Sequence, residues 1–127
     1  MAIRVVNPGE PSTTYHWETE QEDFLVLSGE ALLIVEGQER PLKQWDFVHC
    51  PPRTRHAFVG AGGGPCVLLC ASSRQFQKDG PWGFYCANEV ARRYNASAPE
   101  DTQDADLAYA RFPPEQPTRY RAGLLPG

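Results

Sequence analysis

The sequence predicts an all-β fold, a small barrel of about seven short strands followed by a short helical and extended C-terminal segment. Three observations predict it. Runs of β-branched, aliphatic and aromatic residues recur from residue 3 to residue 71, with turn residues roughly every eight to twelve positions. Several of these runs are apolar at consecutive positions, as expected where one strand face lines a barrel and the other is covered. Imidazole and carboxylate side chains stand near strand ends, at the mouth of such a barrel.

Ile3 to Val6 reads as the first strand, ended by Asn7-Pro8-Gly9. Phe24 to Leu27 is stopped by Ser28-Gly29, and Ala31 to Val35 by the tight turn Glu36-Gly37. Gln38 to Leu42 returns as a short strand, and Pro41 marks a sheet edge or a strand end. Asp46 to Cys50 is closed by Pro51-Pro52, with Asp46 read as a turn carboxylate that accepts from backbone N–H groups. His56 to Val59 follows, and a glycine-rich loop from Gly60 to Gly64 leads to Cys66 through Ala71. The character changes after residue 80. Glu89 to Tyr94 reads as a short helix capped by Asn88, and Asp104 to Ala110 as a second. The rest is proline-rich and extended, with Phe112, Tyr120, Leu124 and Leu125 apolar enough to dock. The expected organisation is a barrel over residues 1–87 and a segment over 88–127 that packs on the barrel or on a partner.

The 127 residues suit one domain. A chain of this size buries roughly two-thirds of its unfolded surface, enough for one core. A formal charge of −4 with no basic stripe argues against nucleic acid. No apolar run approaches the roughly 20 residues that span a bilayer, so no membrane partner is expected. The N-terminus lacks a signal-like apolar stretch, which makes the expected location cytoplasmic. The four cysteines form no Cys-x-x-Cys pair and read as buried small hydrophobes. Apolar outer strand faces predict a homodimer.

The chemistry concentrates in two stretches. One is His16-x-Glu18-x-x-x-Glu22, with Gly29 six residues on; the other runs from Asp46 to Pro51 and on to His56. Glu22, Phe24 and Val26 share one strand face by period two. If that face points inward, Glu22 is a carboxylate in an apolar barrel, which costs several kcal/mol unless paired or bound to a cation. His16 and His56 would supply neutral imidazoles, and two histidines with a carboxylate suit a divalent transition metal. Tyr15, Gln21 and His49 are candidate pocket residues. Arg53 and Arg55 read as solvated turn arginines, and Glu20 and Asp23 as a solvated face.

These residues resemble the cupin superfamily. Its first motif carries a His-x-His pair, then a glutamate, then six residues and a glycine. His16 matches the first histidine, Glu22 the glutamate and Gly29 the glycine, while Glu18 stands where the second histidine is usual. In the second motif Pro51 matches the proline and His56 the histidine. Trp45, Arg53 and Gly60 replace its first glycine, internal glycine and asparagine. The resemblance covers roughly residues 14 to 71 and implies a double-stranded β-helix, jelly-roll-like, commonly dimeric, with one metal held by the motif side chains. Here those are His16, Glu18, Glu22 and His56, or His16, Glu22 and His56 alone with Glu18 turned to solvent, and the ion would be manganese, iron, zinc or nickel. Two functions follow as expectations. One is a metal-dependent enzyme acting on a small polar metabolite; the alternative is a non-catalytic small-molecule-binding cupin whose metal site is degenerate or empty.

Overall fold

The computed structural model describes residues 1–74 and 80–125. The last two residues of the expected extended segment lie outside them. Among the described residues, nine strands and two single-turn helices follow in order: β1 Ala2–Val6, β2 His16–Glu18, β3 Glu22–Ser28, β4 Glu30–Val35, β5 Gln38–Lys43, β6 Phe47–Cys50, β7 His56–Ala61, β8 Cys66–Ser72, β9 Gly83–Tyr85, α1 Glu89–Arg92 and α2 Ala105–Ala108. They form two antiparallel sheets, of order β1-β8-β3-β6 and β5-β4-β7-β2-β9. The all-β barrel read from the sequence is present, with two strands, β2 and β9, that the apolar runs did not announce.

Local chemistry explains the element ends. Glu36 and Gly37 both take positive φ, 47° and 75°, as a two-residue hairpin turn between β4 and β5 demands. Pro41 lies on β5, at the end of its sheet, where a missing N–H breaks no ladder. Asp46 accepts the Lys43 N–H at 2.8 Å. Asn88 caps α1, accepting from Val90 N and Ala91 N at 2.9 and 3.0 Å.

The core lies between the sheets. Val6, Phe24, Val26, Ala31, Leu33, Phe58 and Leu68 point inward from five strands and pack as one cluster. A second cluster covers the outer face of the five-stranded sheet, where Ile34, Ala57 and Val59 meet Tyr15, Cys86, Ala91 and Ala96. The cover on that face is therefore the segment after β9. It is tied down by Tyr15 N to Ala96 O at 2.6 Å, by the Tyr85–Thr102 bridge, and by Tyr85, Tyr109 and Phe112 in edge-to-face contact. Of the apolar residues expected to dock, Phe112 does so through Tyr109, while Tyr120 stays exposed.

Among the described residues, the outer face of the four-stranded sheet has no such cover. Ile3 pairs with Leu69, Leu69 with Leu25, and Leu25 with Phe47, so one apolar row crosses all four strands. Ile3 is 58 % exposed and Phe47 63 %, and Trp45, 62 % exposed, stands beside the β6 edge.

All four cysteines are free. Burial pushes the Cys50 thiol up to about 12 and those of Cys66 and Cys70 to about 11. At pH 8 these three carry almost no thiolate, the reactive form. A thiol-reactive aromatic disulfide should therefore label them at least about tenfold more slowly in native than in urea-unfolded protein. Prompt native labelling of more than one thiol would contradict this.

Candidate metal centre

Two histidines of the five-stranded sheet face one carboxylate of the four-stranded sheet across the barrel. His16 on β2 and His56 on β7 are direct cross-strand partners, with ring centroids 4.9 Å apart. Both are buried. Glu22 opens β3, between Cys50 and Ser72. Its Oε2 lies 3.1 Å from His56 Nε2 and 4.0 Å from His16 Nε2. The three donor atoms fall within 4.8 Å of one another.

The same local device aims both imidazoles. His16 Nδ1 lies 2.7 Å from the Thr14 carbonyl, and His56 Nδ1 lies 2.9 Å from the Thr54 carbonyl. A carbonyl oxygen can only accept, so each Nδ1 carries the proton. Each Nε2 then presents its lone pair to the barrel interior, the usual orientation of a metal-binding histidine. Thr14 is itself held, its hydroxyl donating to Ala96 O at 3.3 Å. The segment after β9 thus fixes the residue that fixes His16.

Glu18 stands beside this set. Its Oε1 is 3.7 Å from His16 Nε2, but it is not one of the three atoms that converge. Burial acts to lower the His56 pKa, but the hydrogen bond and charge of Glu22 outweigh it and the value is raised. Burial acts to raise the Glu22 pKa, but His56, then His16 and Glu18, outweigh it and the value is lowered. Without a metal, His56 and Glu22 each therefore favour the charged form of the other.

The donor set fits a divalent transition metal. Ligand atoms about 2.0–2.2 Å from an ion lie about 3 Å apart when adjacent and about 4 Å apart when opposite. The observed separations of 3.1 and 4.0 Å match that range.

The other sequence candidates lie elsewhere. Tyr15 turns to the outer face, where its hydroxyl accepts the Gly37 N–H at 3.0 Å in a shallow depression shared with Trp17 and Phe84. Gln21 is exposed and bonds Asp23 at 3.2 Å. His49 pairs with Asp23 at 2.6 Å on the outer face, because it alternates with the inward Val48 and Cys50. None of the three lines the interior cavity. Glu20, expected on a solvated face, is 2 % exposed and accepts from Ser73 Oγ at 2.6 Å, because the turn before β3 folds back against the end of β8. Arg53 lies over the Trp17 ring, and Arg55 pairs with Glu36 at 3.5 Å. Sequence reasoning missed Arg4, Ser72, Cys70 and Arg74, which line the cavity. The period-two pattern of β1 and β8 carried that signal.

The fold and this site define a small β-barrel with a two-histidine, one-carboxylate donor set at its heart. The chain belongs to the cupin family: the family model described as the cupin domain matches residues 2–72. An uncharacterised protein of Methanocaldococcus jannaschii is 26 % identical over 72 residues, which cover 57 % of this chain and 58 % of that protein. Among solved structures, a candidate sugar phosphate isomerase of Acidithiobacillus ferrooxidans is 28 % identical with a TM-score of 0.56, over 65 % of this chain and 51 % of that one. A cupin protein of Bacteroides fragilis is 20 % identical with a TM-score of 0.54, over 61 % and 67 %, and shows the fold alone. The chain spans under six-tenths of the M. jannaschii relative and about half of the A. ferrooxidans one. Among the described residues, no helix is long and apolar enough to cross a membrane.

Proposed function

We propose that this chain is a metal-dependent cupin enzyme acting on a small polar metabolite. One divalent transition-metal ion is held by Nε2 of His16, Nε2 of His56 and the Glu22 carboxylate. The observation that carries the reading is the convergence of those three atoms with both Nδ1 positions already engaged. Imidazole with carboxylate suits iron or manganese, with zinc and nickel also accommodated. Bound there, the ion supplies Lewis acidity to a ligand oxygen.

The chain's own groups do the rest. Phe24 and Phe58 wall the cavity and exclude water. Glu18, on the cavity wall and outside the converging set, is placed to take a proton from carbon and return it to a neighbouring atom. The A. ferrooxidans relative, described as a candidate sugar phosphate isomerase, supports proton transfer next to a carbonyl. Elemental analysis of protein purified without chelator should find about one equivalent of metal; less than about a tenth would overturn the site. Deuterium exchange from solvent into small hydroxycarbonyl compounds should be lost in Glu18→Gln while metal content stays. Ligand binding with no exchange in the parent protein would favour the non-catalytic reading.

We propose further that the bare sheet face pairs with a second copy of this chain. An aromatic side chain carries about 150–250 Å². Phe47, Trp45 and Ile3, each more than half exposed, with the partly covered Leu25 and Leu69, therefore present on the order of 400 Å² of apolar surface. Two such patches with their rims approach the roughly 1,200 Å² of a stable interface. Light scattering should report a dimer at micromolar concentration and a monomer for Phe47→Glu. A monomeric parent protein, or a dimer that Phe47→Glu leaves intact, would exclude this face.

A further inference from the structure

The interior cavity has a second polar wall that the metal donors do not use. It encloses about 160 Å³ and is lined on one side by β1, β8 and the residues just past β8. Arg4 shares one strand face with Ala2 and Val6, the three pairing across strands with Leu68, Cys70 and Cys66 in turn, and so faces inward from an otherwise apolar row. Among the described residues its one ion pair is with Glu115, a carboxylate 77 % exposed on the C-terminal segment. Arg74 lines the same cavity and has no ion pair among the described residues. Ser72 is the cross-strand partner of Glu22, and its buried hydroxyl has no hydrogen-bond partner among the described residues. A buried hydroxyl left unpaired costs about 1–3 kcal/mol, which a ligand oxygen would recover.

We propose that this wall is an oxyanion subsite, and that the ligand is a compact organic anion whose carboxylate or phosphate is held by Arg4, Arg74 and Ser72 Oγ. Its other end faces the three metal donors, and in that respect the inference rests on the metal reading. Charge supports the assignment. Glu18 and Glu22 together neutralise a divalent ion, which leaves Arg74, and Arg4 once Glu115 is exchanged, in excess on the wall. Guanidinium groups match the planar, bidentate geometry of carboxylate and phosphate oxygens. Glu115 occupies Arg4 as a ligand carboxylate would, and it is exposed enough to be exchanged.

The test is calorimetric titration of the full chain, metal-loaded and chelator-treated, with pyruvate, inorganic phosphate and uncharged hydroxyacetone. An anion should bind at least about tenfold more tightly than hydroxyacetone, and the tighter of pyruvate and phosphate identifies the oxyanion. Arg4→Gln and Arg74→Gln should each weaken that anion about tenfold without changing metal content, and Glu115→Gln should strengthen it. Arg74→Gln changes an exposed residue, so it keeps the test valid if Arg4→Gln fails to fold. Equal binding of hydroxyacetone, no binding of either anion at millimolar concentration, or binding indifferent to both arginine variants would overturn the subsite. Anion binding that survives chelation and depends on both arginines would support the subsite, and the metal reading alone falls if protein purified without chelator carries less than about a tenth of an equivalent of metal.

Discussion

His56→Ala is expected to reduce bound metal from about one equivalent to below about a tenth, and to lower stability as well. The imidazole is one of three donors, and it lies nearest the carboxylate, at 3.1 Å. Removing it leaves Glu22 in a buried setting without the partner that most lowers its pKa. Breaking a buried pair by deleting one member costs about 3–5 kcal/mol, because the remaining charge is uncompensated. The metal-free protein should therefore melt well below the parent even where neither holds an ion. Glu22→Gln tests the donor without that burden, since it keeps the shape and removes the charge. It should lose metal with a smaller loss of stability. Glu18→Gln separates the three-donor site from a four-donor one, because its carboxylate lies outside the convergent set. Metal retained in Glu18→Gln and lost in His16→Ala, Glu22→Gln and His56→Ala is the expected pattern, read by elemental analysis. Loss in Glu18→Gln equal to the others would make Glu18 a ligand. Metal retained in His56→Ala would exclude the site.

The barrel was legible because its apolar runs are long and its turn residues are chemically specific. Two of the departures from the motif keep its backbone geometry. Trp45 and Arg53 stand where glycines are usual, and they take φ of 72° and 68°, the left-handed region that makes glycine the easy choice there. The turns therefore survive without the glycines. His16, Glu22 and His56 were legible from spacing, but the way they are aimed was not. Its signal is Thr-x-His, present twice, at Thr14 and at Thr54, with each threonine carbonyl receiving the Nδ1 proton of the histidine. Tyr15 and His49 misled because proximity in sequence outweighed strand parity. β9 was hidden because Pro81-Trp82-Gly83 reads as a breaker. Its strand state comes from pairing with β2, Trp17 against Phe84, and from a backbone approach at Gly83 that no side chain could share. The cover over the five-stranded sheet was equally hidden, since Ala91 and Ala96 gain their burial only from tertiary contact.

Gly60→Ala is expected to destabilise the fold by about 3 kcal/mol and to disturb the metal centre from a distance. A Cβ at position 60 would lie 2.1 Å from the Asn7 carbonyl oxygen and 2.6 Å from its carbon. Both are backbone atoms, so no side-chain rotation relieves the clash. The contact is tight because the chain leaving β1 crosses β7 there. Gly9 N donates to Gly60 O at 2.8 Å, and Gly60 N donates to Glu10 O at 2.9 Å. Room for a methyl group requires the crossing segment to lift and those bonds to lengthen. Overpacking a rigid site costs about 1–3 kcal/mol, and a backbone obstacle belongs at the upper end. The displaced segment continues through Ser12, whose N–H donates to Phe58 O at 2.8 Å, to Thr14, whose carbonyl orients His16. The cost should therefore appear twice, as a lower denaturation midpoint in urea and as weaker metal binding. Gly63→Ala is the control, since nothing lies within 4 Å of a Cβ at that position and it belongs to the same glycine-rich loop. It should change neither quantity measurably. If Gly60→Ala proves as stable as Gly63→Ala, the crossing is looser than the structure shows. If it is destabilised but binds metal unchanged, Thr14 and His16 are not tied to the crossing segment.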